Sequence, residues 1–138
     1  MNMPAPNMPL PMDTEQILNA LATAVVVVNA ENDIIHVNNS GEQFLKGSAA
    51  YLNGLSINKL IPSDSPILSL IDQVRKDGTP VSEYGVSLLT PRLGSHFANI
   101  HANPLPDDPG AVVLAMQERS IADTIDRQLT HRGAARSV

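Results

Sequence analysis

The chain has 138 residues, enough for one domain with a single core; apolar residues make up 43%, aromatics 3%, and there is no Trp, so the core must be aliphatic and no surface for stacking bases or sugars is expected. A net charge of −5 offers no concentrated positive surface for phosphates, which argues against nucleic acid as a partner. The absence of cysteine excludes disulfides, thiolate metal sites and a cysteine nucleophile; no apolar run is long enough for a membrane span and no signal peptide opens the chain, so a cytoplasmic location is expected.

Four of the eleven prolines fall within the first twelve residues, where they remove backbone donors, so 1–12 reads as a disordered Pro/Met-rich leader. Asp13 can cap a helix, with Gln16 reciprocating, ahead of Ile17, Leu18 and Leu21. The β-branched run AVVVVN from Ala24 and the run IIHV from Ile34 flank a polar turn in which Asn32 can be left-handed, which predicts a β-hairpin. Asn38 or Asn39 can cap the next helix, and Asn39 with Glu42 has capping-box spacing before Phe44 and Leu45. Residues 48–61 suggest short helical turns. A clear helix starts at Ser65 with Pro66 at its first position, carries Ile67, Leu68, Leu70, Ile71 and Val74 on one face, and stops at Gly78.

Three alternating segments follow: 81–89 with Tyr84, Val86 and Leu88 on one face; 96–105 with Ala98, Ile100 and Ala102; and 111–117 with Val112, Leu114 and Met116. Grouped strands and grouped helices indicate an α+β fold, a five-stranded antiparallel sheet with helices over one face. The expected organisation is a leader over 1–12, a domain over 13–118 and a linker helix over 119–138 capped by Ser120 and Asp123.

In that last helix Ile121, Ile125 and Leu129 repeat every four residues. Burying three such side chains contributes about 5–9 kcal/mol. Ordering the backbone costs about 1–2 kcal/mol per residue, so the helix needs a second surface. A second copy of itself is the simplest cover, and Gln128 and Arg132 at seam positions would keep the pairing weak. Folding back on its own sheet is the alternative. Ile17, Leu18 and Leu21 form the other candidate dimer surface.

The stretch VNAENDIIHVNNSGEQFL over 28–45, with Asn38 opening a helix and Glu42 four residues on, resembles the first half of a PAS domain. SPILSLIDQVR from Ser65, LLTPRLG from Leu88 and QERSIADTIDRQLTHRGAARSV from Gln117 are similar to the sensor region of the NtrB-type nitrogen-regulation histidine kinases of alphaproteobacteria. The resemblance implies a PAS fold acting as a homodimeric regulatory module. By the same likeness a kinase domain follows in cis, and a response regulator and a PII-type protein are partners of the whole protein. Two positions depart from the pattern: Ser120, Ile121 and Ala122 replace an Asp-Ile-Thr junction, and Lys46 stands where many such sequences have Gly.

Chemistry within the chain finds little support in the sequence. His36, His96, His101 and His131 are followed by Val, Phe, Ala and Arg, not by the acidic residue of a phosphoacceptor motif. His96 and His101 lie an odd number of positions apart on one strand and face opposite sides, so they cannot share a metal. A flavin adduct would need a cysteine, and a haem an axial ligand absent from 65–78, so no cofactor is expected. Isolated glycines form no phosphate cradle, and the segment is not expected to be an enzyme itself. Two further readings remain: an isomerase-like site built from Asp72, Glu83 and His101, and a metabolite pocket walled by Val25, Val27, Val86 and Ile100 with Asn99, His101 and Asn103 as polar groups. If Ala98, Ile100 and Ala102 face the helices, those three polar residues face away.

Overall fold

The computed structural model describes residues 13–90 and 94–119. The leader, the linker helix with Ser120, Ile121, Asp123, Ile125 and Leu129, and His131 lie outside the described residues. In chain order the elements are α1 (Thr14–Asn19), β1 (Ala24–Val28), β2 (Ile34–Val37), α2 (Asn39–Leu45), α3 (Ala49–Leu52), a 3₁₀ turn (Ile57–Lys59), α4 (Pro66–Asp77), β3 (Val81–Thr90), β4 (Gly94–Pro104) and β5 (Val112–Arg119). The strands form one antiparallel sheet in the order β2-β1-β5-β4-β3, so the first and last of the described strands are neighbours at its centre.

Local chemistry explains most of the elements. In the β1–β2 turn, Asn32 has φ 67° and the Asn29 side chain accepts the N–H groups of Glu31 and Asp33, an arrangement that short polar side chains favour. Asp13 caps α1 by accepting the Glu15 N–H at 3.0 Å. Ser65 caps α4, Pro66 occupies its first turn, and Gly78 closes it by donating to the Val74 carbonyl. Ile67, Leu70, Ile71 and Val74 are buried by α4 packing across β3, β4 and β5, and Leu68 is half-buried beside them. Burial of those four side chains contributes about 6–12 kcal/mol.

Two bulges decide which side chains face the helices. On β2, Val28 pairs with Ile34 but Val27 with His36, so Ile35 is an extra residue and projects outward at 45% exposure, while Ile34 and Val37 both enter the core. On β3, Glu83 pairs with Ile100 and Val86 with Ala98, which leaves three steps on one strand against two on the other. Gly85 takes up the extra residue at φ 63°, a conformation that costs an L side chain about 1–2 kcal/mol. Strict alternation would place Tyr84 beside Val86 and Leu88. The bulge instead turns Tyr84 to the opposite face at 68% exposure, while Val86 and Leu88 stay buried.

Lys46 ends α2 in the left-handed conformation, φ 55°, with its N–H on the Glu42 carbonyl, so it performs the role of the glycine that it replaces. The Asn39–Glu42 capping box does not form. Asn38 is the N-cap, its side chain accepting from Gly41, which places Glu42 one position too far along to reach back. Glu42 points forward and accepts the Ala49 N–H at 2.8 Å, tying α2 to the start of α3.

Candidate functional site

Because β1 and β5 are antiparallel neighbours, with Ala24 opposite Met116, the chain reaches the sheet at the same end from which β5 departs. The incoming segment is fastened there by the start of α2. Asn38, fully buried, donates from Nδ2 to the carbonyls of Leu18 at 2.8 Å and Thr23 at 3.0 Å, and accepts at Oδ1 from the N–H groups of Val25 and Gly41. All four hydrogen-bonding positions of the amide are used. The Asn39 N–H donates to Asn19 Oδ1, and the Ser40 hydroxyl to the Leu21 carbonyl. Sequence reasoning found Asn38 as a cap but not its grip on α1, since Leu18 and Thr23 lie 20 and 15 positions away.

Of the candidate dimer residues on the incoming segment, Ile17 and Leu21 are 47% and 44% exposed, four positions apart. Leu18 is half-buried, its carbonyl held by Asn38. Leu21 lies just past the helix, which ends at Asn19. The three residues therefore divide, two presenting an apolar edge and one belonging to the domain. At the departing end, β5 runs through Arg119, and a crevice of about 120 Å³ is lined by Ala22, Ala24, Ser40, Gln43, Phe44, Met116 and Glu118. The incoming segment, α2 and the last strand thus share one cleft.

The histidines are dispersed. His96 faces the helices, its ring 5.8 Å from that of Phe44 and its Nδ1 2.5 Å from Glu118 Oε1. His101 is on the other face, 2.6 Å from the Ser82 hydroxyl and edge-on to Tyr84. His36 pairs in register with Val27, and its Nε2 is buried without a partner. Among the described residues no three His, Asp or Glu side chains converge as metal ligands.

Neither the isomerase-like site nor the metabolite pocket assembles as the sequence suggested. Asp72 is exposed on α4, on the helical side of the sheet, whereas His101 points from the opposite side. Glu83, exposed on β3, stands opposite Ile100 and so faces away from His101. Val86 and Ile100 belong to the core beneath the helices. Val25 and Val27 alternate with the core residues Val26 and Val28 and so face the other way. Four residues split between two faces cannot wall one pocket. Asn99, His101 and Asn103 do lie opposite the buried Ala98, Ile100 and Ala102, and Asn99 Oδ1 accepts the N–H of Gly85 at the bulge. Among the described residues no helix is long and apolar enough to cross a membrane.

The chain is similar to proteins named sensory histidine kinase/phosphatase NtrB: 45% identical over 123 residues to that of Rhizobium meliloti (strain 1021) and 47% over 124 residues to that of Rhizobium leguminosarum bv. phaseoli. Each likeness covers 88% of this chain but 32% of the relative, so the chain spans about a third of their length. In three dimensions it resembles the PAS domain of nitrogen regulation protein NR(II) from Vibrio parahaemolyticus, with a TM-score of 0.66 and 21% identity over 81% of this chain and all of that one, a likeness of fold. The family described as PAS fold matches residues 13–119, the whole span from the cap of α1 to the end of β5, and the chain belongs to that family as a PAS domain homologous to NtrB.

Proposed function

We propose that this chain is the cytoplasmic regulatory module of a nitrogen-regulation sensor histidine kinase/phosphatase, dimerising and passing its state to a kinase core that follows in cis. In this reading residues 1–12 are a leader, 13–118 the sensor domain and 119–138 a linker helix that pairs with its twin through Ile121, Ile125 and Leu129. Phosphoryl transfer belongs to the kinase core. A response regulator and a PII-type protein are partners of the whole protein.

The observation that carries the reading is the common end of the sheet: the exposed edge of Ile17 and Leu21 lies at the end where β5 departs. A second copy that covers this edge would hold the two outgoing chains side by side, as a paired linker requires. The names of the relatives support the kinase context.

Sedimentation of the chain beside a version ending at Glu118 tests the dimer. A dimer that weakens on truncation is expected, and a monomer in both forms removes the paired-linker mechanism. In the full-length kinase, deletion of residues 13–119 is expected to change the ratio of autophosphorylation to phosphatase activity; an unchanged ratio would count against a regulatory role.

A further inference from the structure

We propose that the contact between His96 and Glu118 is a latch that ties β5 at Glu118 to the core beneath α2 and thereby sets the footing of the chain beyond Arg119, an inference that rests on the module reading above. Glu118 stands opposite Ala98 in the β4–β5 ladder, and Phe97 is paired with Arg119, the last described residue of β5. His96 is the next residue of β4, paired on its other side with Leu88 of β3. The Glu118 side chain therefore reaches diagonally along the ladder to His96, over a separation that long side chains can span. The His96 Nδ1–H donates to Glu118 Oε1 at 2.5 Å.

The two partners are unequally held. The His96 side chain is 16% exposed and rests against Phe44, itself buried on α2, whereas the Glu118 side chain is 53% exposed. One side of the latch is anchored in the core and the other can swing into water. An exposed pair of this kind adds little to global stability, so engaged and released states lie within a few-fold of each other in population, and a small bias can shift them. A packed route reaches the latch from the incoming segment. Asn38 holds Leu18 and Thr23, opens α2, and α2 carries Phe44 to the imidazole.

Amide hydrogen exchange on the whole chain reads the latch directly. His96→Phe keeps a ring against Phe44 but removes the donor, Glu118→Ala removes the acceptor, and His96→Asn retains an N–H donor near the position of Nδ1. Exchange at Gln117, Glu118 and Arg119 is expected to rise about three- to fivefold in H96F and E118A. It should rise no further in the double variant and should return toward the starting rate in H96N, with Leu114 at the centre of β5 unchanged. No acceleration at 117–119, equal acceleration along all of β5, or H96N behaving like H96F would overturn the latch.

In the full-length kinase, E118A and H96F are expected to move the autophosphorylation-to-phosphatase ratio several-fold in one direction. If deletion of 13–119 moves that ratio but the latch variants do not, the latch does not reach the output. If deletion itself leaves the ratio unchanged, the module reading is what fails, and the exchange result still decides whether the latch exists.

Discussion

Asn38 and Val25 are hydrogen-bonded to each other twice: the Asn38 N–H donates to the Val25 carbonyl at 3.1 Å, and the Val25 N–H donates to the Asn38 side-chain oxygen at 2.8 Å. The side-chain carbonyl stands where a backbone carbonyl would sit if the β1–β2 ladder continued one pair beyond Val26 and Val37. This substitution frees the Asn38 backbone carbonyl to accept from Glu42 and start α2. A strand passes directly into a helix because one residue supplies two acceptors at once.

Asn38→Ala would leave the buried Val25 and Gly41 N–H groups and the part-buried Leu18 and Thr23 carbonyls without this partner. A buried unsatisfied polar group costs about 1–3 kcal/mol, and with partial relaxation a loss of about 3 kcal/mol is expected. Asn38→Asp should cost at least as much at neutral pH, since its second oxygen would face two carbonyl oxygens at the present donor distances of 2.8 and 3.0 Å. Urea unfolding of both variants checks the prediction, and a midpoint equal to the parent's in either would refute the four-bond account.

Arg75 fastens the opposite end of the domain, donating from Nε to the Gly110 carbonyl at 2.8 Å and from Nη2 to the Asn29 carbonyl at 2.7 Å. The guanidinium thus joins α4 to the β4–β5 turn and to the end of β1. Arg75→Met should cost about 2–3 kcal/mol, because hydrogen bonds from a charged donor are stronger than neutral ones. Lys presents a single ammonium in place of the fork and should recover only part of the loss. Gly110→Ala strikes the same junction differently. Its φ is 85°, and an added Cβ would lie 2.7 Å from the Ala30 Cβ, so a melting temperature lowered by several degrees is expected.

The hairpin, α4 and the inward faces of β4 and β5 were legible in the sequence because each rests on a local signal: Asn32 in a tight turn, Ser65 and Pro66 opening a helix, and Ala98, Ile100 and Ala102 in alternation. Tyr84 was misread because alternation assumes an uninterrupted strand; Gly85 within that run was the available sign of a bulge. Glu42 was misread by one position, since moving the cap from Asn39 to Asn38 carries a side chain from its own helix toward the next. The grip of Asn38 on α1 and the His96–Glu118 contact join residues between 15 and 22 positions apart. No periodicity or spacing rule reports such pairs.

Glu42→Ala removes the acceptor of the Ala49 N–H, a first-turn donor of α3 that has no partner within its own helix. A loss of about 1–2 kcal/mol is expected, as for other helix caps. Gln keeps a side-chain oxygen at the same reach and should recover most of it. Exchange of the Ala49 amide, measured in both variants, separates this local role from a general loosening of α2.

Ile17→Ser with Leu21→Ser tests the incoming edge without disturbing the domain. Both side chains are close to half exposed in the single chain, so monomer stability should change by less than about 1 kcal/mol. If a second copy covers the edge, losing both apolar groups should weaken the dimer by about 2–3 kcal/mol, roughly 30- to 150-fold in dissociation constant. Leu18→Ser should do the reverse: it is half-buried beside the Asn38 contact, and its substitution should lower the melting temperature more than it affects association. Sedimentation over a range of concentrations, paired with thermal unfolding, distinguishes the two effects. An unchanged dissociation constant in the double variant would remove α1 from the interface and leave the outgoing chain as the surface on which a pair could form.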